Sequence, residues 1–253
     1  MTLRIGRIPY LNTEPFFADD QVREEAVASV PRRMVDLALS GEVDLAPLPV
    51  VAAFDHPEMF KPVGDIGIAT IGAARSVLLL SMNPVAALGA TRIGVIDETA
   101  TSVRLLKVLL RFRYGVDNFV FVDLDEEPDA MLLIGDRALL GRPEPQRYPH
   151  VLDLAAEWHA WTGHPFVFAC WMVRRGVLPS QCTEIMDYFE SNLTRNLADP
   201  TIIHSRRQDM ELSPGEVETY IRTFCYRFDE KIWEGFEHFK ELDMRISSVE
   251  SVA

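Results

Sequence analysis

Several things are scarce in this sequence of 253 residues, and each scarcity removes a class of function. There are three cysteines, Cys170, Cys182 and Cys225, and no C-x-x-C pair. An odd number in a chain this long points to reduced thiols rather than a disulfide framework, and they read as packing residues. No apolar run approaches the roughly 18 residues that a membrane span requires. The opening MTLRIGRIPY has neither an apolar core nor a small-residue cleavage site, so the protein is expected in the cytoplasm. Positive charge is short as well: 25 Lys and Arg against 38 Asp and Glu leave a net charge of −13. Gripping a phosphate backbone takes clustered cations, so nucleic acid is not an expected partner, and neither is an anionic membrane surface. A small anion remains admissible, because long-range repulsion is screened within about 8 Å at physiological salt and local N–H donors then decide.

The strong catalytic signatures are absent too. There is no G-x-x-x-x-G-K-[ST] phosphate loop, G-x-G-x-x-G dinucleotide turn, G-x-S-x-G nucleophile elbow or H-E-x-x-H zinc helix. His159 and His164 are five apart, which does not stack two imidazoles on one helical face, and no metal site is expected. With six scattered histidines, a Ser-His-Asp or Cys-His site cannot be read from order alone.

What is present is a folded α/β pattern, with 48% hydrophobic and 25% charged residues; only the final SSVESVA reads as disordered. The central stretch is RIGVIDETATSVRLLKVLL, Arg92 to Leu110. Ile93, Val95 and Ile96 form a short buried strand, Asp97 to Ala100 a polar loop, and Thr101 to Leu110 a helix with Val103, Leu106 and Leu110 on one face. A hydroxyl-rich loop entering a helix start gathers backbone N–H groups and the positive end of the helix dipole, which suits a carboxylate or phosphate. On this stretch alone, Thr99, Thr101 and Ser102 are better read as plain helix caps, which such residues form in most proteins.

Around it, Leu3 to Ile8 alternates as a strand until Pro9, and PYLNTEPFF opens a short helix that Asn12 or Thr13 could cap. Asn12 also follows a first strand, where open α/β sheets put ligand contacts. Val27 to Val30 is a second strand, Pro31 to Gly41 a helix with Met34, Val35, Ala38 and Leu39 inward, and Val43 to Ala46 a third strand. Pro47 and Pro49 then fix a turn. Lys61 to Ile71 reads as loop, with Gly64 and Gly67 inside it and Gly72 just after. SVLLLS (Ser76 to Ser81) and FVFACWMV (Phe166 to Val173) are long buried strands that look like paired crossovers between two lobes. Phe119 to Val122 and Met131 to Ile134 are strands. Helices follow at Asp153 to Thr162, Gln181 to Leu197, Pro214 to Phe224 and Glu230 to Leu242. The spacing predicts one lobe from 1–85 plus 172–253, including the C-terminal helices, and a second from 86–171.

IPYLNTEPFF (Ile8 to Phe17), VPRRMVDLALSGEVDLAPLP (Val30 to Pro49), RSVLLLS (Arg75 to Ser81), ETATSVRLLKVLLRFRYG (Glu98 to Gly115), LLIGDRAL (Leu132 to Leu139), EWHAWTGHPFVFACWMVRRG (Glu157 to Gly176) and YIRTFCYRFDEKIWEGFEHF (Tyr220 to Phe239) together resemble the chorismate dehydratases of the futalosine route to menaquinone. The resemblance runs in order over nearly the whole chain. It implies an α/β, two-lobed fold like the type II periplasmic binding proteins, with a ligand cleft between the lobes. It also implies a hydro-lyase reaction, chorismate to 3-[(1-carboxyvinyl)oxy]benzoate plus water, with no cofactor.

By the same resemblance Asn12, from a Y-L-N motif, is the catalytic candidate. Ser76, the loop Ala100, Thr101 and Ser102, and the turn Gly135 and Asp136 are substrate-binding candidates, with the loop seating a chorismate carboxylate. Many relatives carry a polar pair where this chain has Pro49 and Val50, so backbone N–H groups are expected to serve there, and Pro49 has none. Arg7 and Arg75 are candidates to face a carboxylate. The sister enzyme that makes 1,4-dihydroxy-6-naphthoate has a catalytic His where this chain has Gly135. A non-enzymatic solute-binding protein is the alternative of another class, and it would carry a secretion signal or a lipid-attachment cysteine.

Overall fold

A computed structural model describes residues 3–17, 20–96, 98–141 and 143–250, with the side chains of 20, 179 and 247–250 outside that description. Asp97 of the polar loop and residues 251–253 of the C-terminal tail therefore lie outside the described residues. The strands are β1 Gly6–Arg7, β2 Val27–Ala28, β3 Leu45–Pro49, β4 Phe60–Thr70, β5 Val77–Ser81, β6 Thr91–Val95, β7 Phe119–Asp123, β8 Ala130–Ile134, β9 His150–Asp153, β10 Phe166–Arg174 and β11 Phe224–Arg227. The α-helices are α1 Asp20–Glu25, α2 Pro31–Leu39, α3 Val51–Asp55, α4 Thr101–Val108, α5 Gly135–Leu140, α6 Leu154–Thr162, α7 Pro179–Ala198, α8 Thr201–Arg206, α9 Pro214–Ile221 and α10 Glu230–Glu250. Among the described residues no helix is long and apolar enough to cross a membrane.

The chain divides into two α/β units. The first takes the described residues of Met1–Ala69 and Val167–Asp229, the second those of Thr70–Phe166 and Glu230–Ala253. This differs from the boundaries expected from the sequence, for two physical reasons. SVLLLS does not cross between lobes: β5 is hydrogen-bonded between β8 and β9 inside the second unit's sheet. The last helix also belongs to the second unit. Asp243 of α10 is paired with Arg104 of α4, Arg245 lies 4.8 Å over the Phe112 ring, and Gly235 packs against the backbone carbonyl of Pro165. The chain thus passes between units three times, at 69–70, 166–167 and 229–230. FVFACWMV marks one of those passages, as its length and apolarity suggested. The tail expected to be disordered continues α10 as far as Glu250.

In the first unit a four-stranded sheet runs β11-β4-β10-β3, with β3 at the edge and antiparallel to β10. Pro47 and Pro49, read from sequence as a turn, lie inside β3. Val50 N donates to Phe168 O and Arg174 N to Asp44 O, so the even-numbered residues carry the ladder to β10 and the two prolines fall on positions whose nitrogens face away from it. On that other side β1 runs parallel, through Ile5 and Leu45, and cannot extend because the next two donors are missing. The glycine-rich segment read as loop is the strand β4. Gly67 is needed there because a side chain would meet the β10 backbone at Ala169 O and, 2.8 Å away, Cys170 Cα.

An aromatic cluster fills this unit: Trp171 stacks on Phe189 with centroids 3.9 Å apart, and Phe16 meets Trp171 edge-on at 5.5 Å and Tyr226 at 5.7 Å. Cys170, Cys182 and Cys225 are free thiols, and burial pushes the pKa of each up. Asp44 ties the start of the chain to β10. It accepts from Arg4 N, Nε and Nη2 at 3.0 Å and from Arg174 Nε at 2.7 Å.

In the second unit the sheet order is β7-β6-β8-β5-β9. β6 is parallel to β7 and β8, and β5 is antiparallel to β8 and β9. Leu78, Leu80, Met131, Leu133, Ala138 and Tyr148 pack one face as a buried cluster. Asp153, the last residue of β9, caps α6 through Ala155 N and Ala156 N at 3.0 and 3.1 Å. The same carboxylate accepts from Ala74 N at 3.2 Å and Arg75 N at 2.7 Å. Arg75 has a left-handed φ of 62°, a conformation costly for a residue with a Cβ, and the four-donor carboxylate holds that turn at the entrance to β5.

Burial would raise the Asp44 carboxyl, but the Arg4 side chain and backbone N–H and the Arg174 guanidinium outweigh it and bring its pKa from 3.8 down to about 2. A depressed carboxylate contributes stability above its unfolded pKa and loses it as pH falls toward the folded value. Between pH 4 and pH 2 the wild type should therefore lose about 2 kcal/mol more stability than Asp44→Asn, as read by urea unfolding; parallel pH profiles for the two proteins would refute this. Asp153→Ala should lower unfolding stability by about 2 kcal/mol, since the cap and the charge-assisted bonds to the Arg75 turn are lost together. A urea midpoint unchanged from wild type would show that the carboxylate does not hold the turn.

Candidate functional site

In the second unit the sheet gathers its candidate residues at one edge. The parallel strands β6 and β8 both end there, and the antiparallel β5 begins there, with Val77 opposite Ile134. The loop after β6 leads to α4 and delivers Ala100, Thr101 and Ser102; the end of β8 delivers Gly135 and Asp136; the residue before β5 is Ser76. The topology brings these six positions to the same end of the sheet, the end where open α/β sheets bind ligands.

The local chemistry of each differs. The N-cap of α4 is Ala100, whose methyl cannot cap, with φ −122° and ψ −76°. Thr99 is not capping either: its hydroxyl donates to Ile96 O at 2.5 Å. Thr101 and Ser102 sit in the first turn of α4, both buried. A helix start whose cap residue has no oxygen acceptor leaves the positive end of the dipole to be met by another group.

Ser76 is buried, its hydroxyl 3.4 Å from Ala74 O, and its own carbonyl accepts from Gly135 N at 2.9 Å. The Gly135 N–H is therefore committed to the sheet edge, and the left-handed φ of 57° there turns the chain into α5. Asp136 lies in the first turn of α5, with Ile134 as N-cap, so it is not the capping residue itself. Arg75 is exposed and follows the left-handed turn.

In the first unit β1 and β3 run parallel, so their carboxyl ends share one side of the unit. After β1 comes a 3-10 helix, Leu11–Phe16, that carries Asn12. Neither Asn12 nor Thr13 caps it, since the N-cap is Tyr10. Thr13 Oγ1 instead donates back to Ile8 O at 2.5 Å and Tyr10 O at 2.8 Å, closing the turn after Pro9. Asn12 Oδ1 is buried and has no hydrogen-bond partner among the described residues. Arg7 Nε, Trp171 Nε1, Asn196 Oδ1 and Tyr226 Oη of the same unit are buried and unpartnered too, but Asn12 is the one that follows a strand end, and a buried amide oxygen left unpaired costs on the order of 1–3 kcal/mol.

Pro49 is the last residue of β3 and Val50 follows it, and both are buried. The expectation that backbone N–H groups serve the ligand here is not met. Pro49 has no N–H, and the Val50 N–H is taken by Phe168 O at 3.2 Å, so these two residues offer apolar surface only.

Sequence reading missed Glu14, buried between Arg7 and Arg23. Its Oε1 is 3.4 Å from Arg7 Nη1, and its Oε2 is 3.1 Å from Arg23 Nε. Burial lowers the Arg7 guanidinium from its ordinary pKa; Glu14 opposes this, while Arg23 and Arg207 add to it. Arg7 Nε is buried with no hydrogen-bond partner among the described residues. The signal available in the sequence was an acidic residue inside an otherwise apolar helix start, which demands a buried cation.

A family model described as menaquinone biosynthesis matches residues 3–243 of this chain. A chorismate dehydratase from Thermus thermophilus is 29% identical over 233 residues, covering 84% of each chain. Among solved structures, protein AF1704 from Archaeoglobus fulgidus superposes with a TM-score of 0.75 at 16% identity over 97% of this chain and 98% of that one. The periplasmic aliphatic sulphonate binding protein SsuA from Escherichia coli superposes with a TM-score of 0.62 at 14% identity over 97% and 87% of the two chains. The fold is thus that of the periplasmic binding proteins, and the chain belongs to the menaquinone-biosynthesis family.

Proposed function

We propose that this protein is a chorismate dehydratase acting in menaquinone biosynthesis, a carbon–oxygen lyase that converts chorismate to 3-[(1-carboxyvinyl)oxy]benzoate and water. Its similarity to the Thermus thermophilus enzyme along 84% of both chains supports the reaction. The observation that carries the residue assignment is the unpartnered, buried Oδ1 of Asn12.

The chemistry balances without a redox step. A proton leaves C3 of chorismate, the C4 hydroxyl leaves as water, and the ring becomes aromatic, which supplies the driving force. The protein's task is to hold the substrate and to meet charge as it shifts. The Asn12 amide, with both a donor and an acceptor end, binds the leaving hydroxyl or another polar group of the substrate. Thr101, Ser102 and the start of α4 seat a carboxylate, since the helix has no side-chain acceptor at its cap position. Ser76 supplies a further hydroxyl, and Gly135 and Asp136 are further substrate contacts from the second unit. Pro49 and Val50 contribute apolar surface against the ring. A carboxylate of chorismate itself takes the C3 proton.

Replacing Asn12 with Ala should cut turnover by about a hundredfold or more, the scale of losing one preorganised polar contact to the transition state. Asp136→Asn should be mild, within about threefold of wild type, because the proton acceptor belongs to the substrate. Loss of chorismate absorbance and appearance of the benzoate product measure both. A dead Asp136→Asn enzyme that still binds chorismate would show that the protein provides the base.

A further inference from the structure

The 3-10 helix that carries Asn12 ends on three buried residues, Pro15, Phe16 and Phe17, and a helix of six residues cannot satisfy its own last carbonyls. All three of these carbonyls are met by side chains from far along the chain. Asn192 Nδ2 donates to Phe16 O at 2.8 Å, and Asn196 Nδ2 donates to Pro15 O at 3.0 Å and to Phe17 O at 3.4 Å. Arg206 Nη1 completes the set on Phe17 O at 2.6 Å.

Asn192 and Asn196 are one turn apart on α7, both buried, on a face otherwise made of Phe189 and Leu193. Asparagine is a poor helix former and an expensive core residue, so two of them on this face require a specific employment. Among the described residues Asn196 uses its amide purely as a donor, for its Oδ1 is buried without a partner there.

We infer that Asn192 and Asn196 are positioning residues for the reaction: they fix the carboxyl end of the 3-10 helix, as Thr13 fixes its start, and so set where the Asn12 amide stands. This rests on the reading of Asn12 as the catalytic residue. Pro15, the first clamped position, is three residues beyond Asn12 in the same short helix, so a shift at the clamp is passed on to the amide. Misplacement by about 1 Å can cost a hundredfold in rate even when the substituted residue is remote from the chemistry.

The test compares Asn196→Leu, which keeps the volume and removes both donated bonds, with Asn192→Leu, which removes one and serves if the first variant does not fold. Chorismate turnover, KM and thermal midpoint are measured for each, and again in an Asn12→Ser background. The expected result is a fall in kcat of about tenfold to a hundredfold for Asn196→Leu with KM within about threefold, and a smaller fall for Asn192→Leu. In the Asn12→Ser background the same substitutions should cost much less, because they act through Asn12. A kcat unchanged in both folded variants overturns the inference, as does a loss that adds in full to that of Asn12→Ser. Wild-type turnover in Asn12→Ser and Asn12→Ala would instead overturn the assignment of Asn12, whatever α7 does.

Discussion

A buried backbone polar group must find a partner, and the architecture of each unit at its candidate residues is governed by that requirement. In the first unit the prolines of β3 end the pairing with β1, and the chain beyond β1 is thrown into a 3-10 helix too short to close its own hydrogen bonds. Side chains then do what a ladder would otherwise do: Thr13 at one end, Asn192 and Asn196 at the other. In the second unit the carboxylate of Asp153 gathers four backbone N–H groups from two separate turns. Each unit thus holds irregular backbone in place with a few polar side chains, buried in the first unit and partly exposed at Asp153 in the second.

Once this pairing is complete, what is left unpaired carries information. Gly135 N–H and Val50 N–H lie at strand ends, where ligands are commonly bound, yet both are spent on neighbouring backbone, at Ser76 O and Phe168 O. Asn12 Oδ1 and Arg7 Nε are not. The contrast separates N–H groups already spent within the fold from polar atoms still unpaired, and it removes Pro49 and Val50 from the donors. It also gives α4 a sharper meaning. A threonine at position 99 looks like a cap in the sequence, but its hydroxyl turns to Ile96 O, and the cap position falls to an alanine.

Period and length made the long elements legible: α2, α6, α7, β8 and β10 lie within a few residues of where apolar spacing puts them. Composition misled in two places. Gly64 and Gly67 suggested a loop, yet Gly67 is in a strand because the neighbouring backbone comes too close for a Cβ. Pro47 and Pro49 suggested a turn, yet an edge strand tolerates proline at every second position. The assignment of β5 and α10 to the wrong lobe has a different origin. Which sheet a buried strand joins depends on partners distant in sequence, and local pattern does not encode them. For the site, the positions after β1, β6 and β8 could be named from strand ends and family motifs. The clamp from α7 could not, since it joins residues about 180 apart in sequence. Its trace was the presence of two asparagines in an apolar helical stripe.

The remaining tension is between a chain of net charge −13 and an anionic substrate. Its resolution is local. Around the 3-10 helix, Arg7 and Arg23 share the single carboxylate of Glu14, and Arg207 adds to the repulsion on Arg7 while Asp209 balances Arg207 at 3.0 Å. Among the described residues these three guanidinium groups meet two carboxylates, an excess of positive charge in a partly desolvated place around the short helix that carries Asn12. At short range such an excess outweighs the distant acidic surface, whose field is screened over about 8 Å. An acid can therefore be held without being drawn in from afar. The association rate of such a substrate should be ordinary and its affinity set by fixed amides and guanidinium groups, a division of labour that suits an enzyme working by positioning.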